Sequence, residues 1–230
     1  TQIQIMEALG HSAPSFAHHS LLTGPQGEAL SKRLGTLSLR DLREAGVQPA
    51  ALLSHMARIG SSQPIELVSS IDELAEGFDL SSFGSAPTKF DVDDLYPLTG
   101  RYLGSLPLEA VSEQVAAIGV PDALAEVFWN VTRENITTLN DLPDWWALFR
   151  DGAKPLVDDE DKDFVAQAFD MLPEPPFTAE TWGAWTSAVK DATGRKGKGL
   201  FMPLRKAVTG LERGPEMADV MVLLQKKPSL

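Results

Sequence analysis

The chain has 230 residues, 43% of them hydrophobic, carries a net charge of −12 and contains no cysteine. That length suffices for two or three small domains, burying roughly 70% of the unfolded surface. Disulfides, thiolate metal sites and thiol chemistry are excluded, no apolar run reaches the ~18 residues of a membrane span, and no charged-then-apolar leader opens the sequence. The expectation is a soluble cytoplasmic protein.

In chain order, Ile5, Met6 and Leu9 stand at helical spacing ahead of Gly10 and predict a short first helix. Phe16 to Leu22 reads as the one strand. His18 and His19 within it lack carboxylates or cysteines at ligand spacing, so packing is favoured over metal binding. The next stretch, Leu22 to Gly35, has glycines at 24, 27 and 35 and ends in Ser31, Lys32 and Arg33. A serine beside two cations on such a loop suits an anion such as a triphosphate, although so short a run also arises by chance.

Ser38 followed by Asp41 predicts a capped helix with Leu39 and Leu42 facing inward, ended by Gly46. Pro49 starts another, with Leu52, Leu53, Met56 and Ile59 as its apolar stripe up to Gly60. Ser70 and Glu73 form a capping box. Asp91 caps a helix through Tyr96 and Tyr102, interrupted at Pro97 and closed by Gly104. Leu108, Val111, Val115 and Ile118 line one further helix face, and Leu124, Val127, Phe128 and Val131 the next.

Trp145, Trp146, Leu148 and Phe149 could stack bases, but their helical spacing favours core packing. Gly152 to Asp163 is the best linker; its acids lack the spacing of a calcium loop and read as a solvated helix start. Pro173 to Pro176 is a second break, followed by a helix face of Trp182, Trp185 and Val189. Glu216 to Leu224 is the last predicted helix. Short connections between such helices favour antiparallel neighbours. The negative charge argues against nucleic acid. Its distribution matters more, because Arg195, Lys196, Lys198, Arg205 and Lys206 form a basic strip with no acid among them.

Two blocks resemble the glutamyl-tRNA synthetase family. The first runs from Phe16 through Ser31-Lys32-Arg33 to Leu53 and resembles the KMSKR loop with its following helices. The second, Lys196 to Met217, holds Pro203-Leu204-Arg205, Thr209-Gly210 and Gly214-Pro215, and resembles the segment that reads the anticodon. The resemblance covers essentially the whole chain but only the second half of the family, because no HIGH motif is found. A C-terminal fragment is therefore expected, with a naturally short paralogue as the alternative. The Phe16 to Leu22 strand would then be an orphaned sheet edge.

What this resemblance implies is a mainly α fold with a small strand remnant. It divides into a stem-contact domain over 1–106 and two helical anticodon-binding domains over 107–151 and 152–230. The implied activity is ATP-dependent attachment of glutamate to tRNA(Glu) through a glutamyl-adenylate. ATP and Mg2+ would serve the full-length enzyme, with neither bound to this part alone. The catalytic residue would be Lys32, with Ser31 and Arg33 also holding ATP. The family commonly has a lysine where this chain has Ala29, so one cationic donor is missing. The anticodon residues would be Arg133, Asn135, Arg205, Gly214, Pro215 and Met217. Asn135 stands where the family commonly has an arginine that demands cytosine. Because an amide both donates and accepts, the expected partners extend from tRNA(Glu) to tRNA(Gln). The bland alternative is that Asn135 caps a turn. A monomer is expected, with no bound metal, no DNA and no membrane partner. The competing class is a stand-alone, non-catalytic tRNA-binding or protein-interaction module, and a weaker third is a helical scaffold without an RNA partner.

Overall fold

A computed structural model describes residues 1–30 and 38–230, so Ser31, Lys32 and Arg33 lie outside the described residues. The described chain is mainly helical, and its one sheet has two short strands. Two compact units are formed, one from residues 1–39 and 49–95 and the other from 40–48 and 96–230.

The first unit contains α1 (Gln2–Ala8), β1 (Leu22–Thr23), α3 (Pro49–Met56), α4 (Ile71–Glu76) and β2 (Thr88–Lys89), with α2 (Leu39–Glu44) lying between β1 and α3 in sequence. The predicted strand is far shorter than Phe16 to Leu22, and it is not orphaned. β1 pairs in parallel with β2, Leu22 opposite Thr88 and Thr23 opposite Lys89. Thr88 N donates to Leu21 O at 2.9 Å and Phe90 N to Thr23 O at 2.8 Å. A segment 66 residues downstream thus satisfies the backbone groups that the local sequence left open.

The stripe predicted on α3 is also corrected. Ala51, Ser54 and His55 are its buried residues, whereas Leu53 and Met56 are exposed. The reason is a passing extended segment: Ser54 Oγ donates to Val68 O at 3.0 Å and accepts from Val68 N at 2.9 Å. A polar residue can be buried when its hydroxyl completes another segment's backbone bonds. At α4, Ser70 accepts from Glu73 N at 3.4 Å, so the predicted cap is present.

The second unit holds α2 from Arg40 onward, where Leu42 is buried and Leu39, expected inward, is 70% exposed. It continues with α5 (Leu95–Ser105), α6 (Ser112–Ala117), α7 (Asp122–Thr132), α8 (Leu142–Asp151), α9 (Lys162–Asp170), α10 (Thr181–Thr193), α11 (Lys198–Thr209) and α12 (Met217–Leu223). Pro97 does not interrupt α5, because it falls in the first turn, where its missing N–H has no helical acceptor to serve. Nor does Gly104 end it. A Cβ on Gly100 would sit 3.2 Å from Ile136 O, and one on Gly104 would sit 3.7 Å from Arg133 O. These glycines let the turn after α7 lie close against α5.

One core runs through this unit, from Leu103 to Leu224. Phe128 meets Trp146 and Phe149 edge-on, with ring centroids 5.8 and 6.1 Å apart. Trp129 Nε1 donates to Leu106 O and Trp185 Nε1 to Ala168 O, so these indoles are buried without an unmet donor. The segments 107–151 and 152–230 share that core, since α12 packs on α7 and α8 and Gln225 N donates to Phe149 O.

Candidate nucleic-acid interface

The first group of candidate residues is built at the C-terminal end of α7. Arg133 is its C-cap, and Nη1 donates to Leu106 O at 3.4 Å, the carbonyl that also receives Trp129 Nε1. Its Nε is buried without a partner. Asn135 is exposed, and its Nδ2 donates to Val131 O at 3.0 Å. This bond answers one of the carbonyls left open at a helix end, and on this exposed side chain Oδ1 can still accept. The turn is held from behind by Asp141, whose carboxylate accepts from Thr137 N at 2.7 Å and Thr138 N at 2.9 Å.

The second group is built on α11 and the loop after it. Gly210, at φ +69, ends the helix, and the loop returns through Gly214 and Pro215 into α12. The point where a Cβ would stand on Gly214 is 3.7 Å from Arg205 Nη1, 3.8 Å from Leu211 Cδ1 and 3.9 Å from Trp145 Cη2. Arg205 and Gly214, predicted from distant positions in sequence, are therefore brought together. Arg205 Nη1 is buried and lacks a hydrogen-bond partner. Pro215 is half-buried, while Met217 is in the core, 3% exposed. Its side chain fills the interior.

Trp145, expected as core, is only partly buried and takes part in this second group. Helical spacing could not find it, because the contact is made by the edge of the ring beyond the buried face.

Acids from elsewhere in the chain reach part of the basic strip. Arg195 is paired with the Asp161 carboxylate, and Lys206, 8% exposed, donates to Asp158 at 2.7 Å with Glu212 at 3.9 Å. The predicted linker thus pairs with two cations of the predicted strip, while Lys196 and Lys198 stay exposed. The bond to Asp158 is the chief cause of a raised Lys206 pKa. Along the described residues no helix is long and apolar enough to cross a membrane.

Residues 104–230 match the family model described as "Anticodon binding domain". The chain belongs to the anticodon binding domain family. Both candidate groups, from Arg133 to Met217, fall inside that anticodon binding domain. Residues 1–97 match a second model, "tRNA synthetases class I (E and Q), catalytic domain". Among curated relatives, glutamate–tRNA ligase 2 of Jannaschia sp. (strain CCS1) is 73% identical over all of this chain and 51% of its own length. Glutamate–tRNA ligase 2 of Dinoroseobacter shibae is 71% identical over all of this chain and 52% of its own. The chain thus spans about half the length of the curated relatives it matches. The crystal structure of a glutamate–tRNA synthetase from Elizabethkingia anophelis superposes with a TM-score of 0.73 at 24% identity, over 96% of this chain and 50% of that one, which shows a shared fold. The resemblance read from the two sequence blocks is borne out.

Proposed function

We propose that this chain is the tRNA-reading half of a glutamate–tRNA ligase, an enzyme that joins glutamate to tRNA(Glu) at the expense of ATP. The observation that carries the reading is identity above 70% to glutamate–tRNA ligases along the entire chain, with the anticodon binding domain over its second half. In the complete enzyme ATP and Mg2+ are required, and Ser31, Lys32 and Arg33 would hold the triphosphate, with Lys32 supplying charge as pyrophosphate leaves. Anticodon contacts belong to the exposed turn at Arg133 and Asn135 and to the loop at Arg205, Gly214 and Pro215, with Met217 contributing through its backbone. A guanidinium suits a base edge, and a Gly-Pro turn exposes backbone groups to unstacked bases. The geometry at Asn135 favours relaxed choice between tRNA(Glu) and tRNA(Gln), because its amide acceptor does not impose the donor-only demand of an arginine. The protein acts as a monomer in the cytoplasm.

The test is aminoacylation by the complete ligase. Lys32→Ala should slow glutamyl-adenylate formation by roughly 10² to 10³, the scale for removing one preorganised charge donor, while leaving tRNA affinity in place. An unchanged activation rate would remove Lys32 from the site.

A further inference from the structure

We propose that Arg195 is a positioning residue for Arg205, holding α11 in the shape that presents Arg205 to an anticodon base; this rests on the reading of Arg205 given above. Pro203 is the sixth residue of α11. Lacking an N–H, it leaves the carbonyl of Gly199, four residues earlier, without its helical donor, and its ring crowds that carbonyl. Such a gap ordinarily kinks a helix. Here Arg195 Nη1 donates to Gly199 O at 3.3 Å and supplies the missing hydrogen.

The guanidinium is itself fixed on two further sides. It pairs with Asp161, just before α9, and lies 4.0 Å above the Phe164 ring. The connection from α10 makes this reach possible: Gly194 at φ +70 and Gly197 at φ +56 turn the chain back across the first turn of α11. Beyond Arg205 a second fastening follows, in which Lys206 Nζ holds Asp158 and Lys206 O accepts from Leu156 N at 3.1 Å. Arg205 is thereby held between a repaired proline break and an anchored lysine. Its Nη1, buried and unpaired beside Gly214, is a donor already desolvated before an acceptor arrives. Desolvating a donor in advance removes part of the desolvation cost of binding, and its benefit goes to the base that accepts from it.

The inference is tested by filter binding of this chain to a tRNA(Glu) transcript and to the same transcript with its first two anticodon bases replaced. The quantity read is the ratio of the two affinities. Arg195→Met should lower that ratio about tenfold, the scale of one lost base contact. Pro203→Ala alone should change it little, and in the Arg195→Met/Pro203→Ala double variant the restored N–H to Gly199 O should recover most of the loss. Should Arg195→Met not fold, Arg195→Lys, which keeps a charge for Asp161 but gives up the planar fork, carries the same comparison. An unchanged ratio in a variant with a lowered melting temperature would show a structural role alone and overturn the inference, as would a double variant that recovers nothing. Arg205→Ala is the control. If it leaves the ratio untouched, the reading of Arg205 has failed, and not merely the role of Arg195.

Discussion

Asn135 spends one amide hydrogen on the carbonyl of Val131, 3.0 Å away, and keeps its oxygen for whatever approaches the end of α7. An arginine at this position would present donors only. In the complete ligase, wild type should therefore charge both tRNA(Glu) and tRNA(Gln), and Asn135→Arg should favour tRNA(Glu) by about tenfold or more. The ratio of kcat/KM for the two tRNAs measures this. A wild type that already rejects tRNA(Gln), with a variant that changes nothing, would leave Asn135 as a helix cap only.

Arg205→Ala should weaken tRNA(Glu) binding by about 1 to 3 kcal/mol if the side chain reads a base edge. A contact to phosphate would weaken cognate and non-cognate tRNAs alike and reduce the salt slope by about one. Binding isotherms at several salt concentrations separate the two cases.

His55 gives the first unit a pH dependence. It is 2% exposed, both ring nitrogens lack partners, and it meets Phe90 edge-on at 5.5 Å. Burial lowers its pKa below the ordinary value of 6.5, with Asp94 partly opposing the shift. The unfolded chain then binds a proton that the folded chain refuses, so stability falls as pH drops below about 6.5 and levels off only below the lowered folded value. Above that range His55 contributes no slope. Denaturant melts from pH 7.5 to 5 should show the loss, and His55→Leu should flatten it. An equal slope in the variant would assign the effect to carboxylates.

Two glycines should respond to alanine in opposite ways. A Cβ at Gly100 would stand 3.2 Å from Ile136 O, whereas one at Gly183, within α10, would meet nothing within 4 Å. Gly183→Ala should add up to about 1 kcal/mol from helix propensity. Gly100→Ala should lose about 1 kcal/mol despite the same propensity gain, because the turn carrying Arg133 and Asn135 must shift. Chemical denaturation of both variants checks the contrast.

Legibility followed the range of the interaction. The Ser70 cap, the glycine turns and most helix existence are local matters, and they could be read directly. The buried face of α3 could not, because Ser54 and His55 are covered by segments far along the chain, and the partner of β1 is Thr88–Lys89. The pairing of the basic strip was hidden for the same reason, since composition shows Arg195 and Lys206 but not Asp161 and Asp158 folding back upon them. Arg205 and Gly214 were found through family resemblance; what brings them together is the reversal at Gly210. The role of Arg195 rests on Pro203 lying inside α11, which the structure and not the local pattern shows.

The most direct test of the tRNA-reading assignment is equilibrium binding of this 230-residue chain to tRNA(Glu), set against the same tRNA with its first two anticodon bases replaced and against an unrelated tRNA. The account predicts salt-sensitive binding that prefers tRNA(Glu) by at least about tenfold over both competitors. Equal affinity for all three, or no binding at low salt, would contradict it.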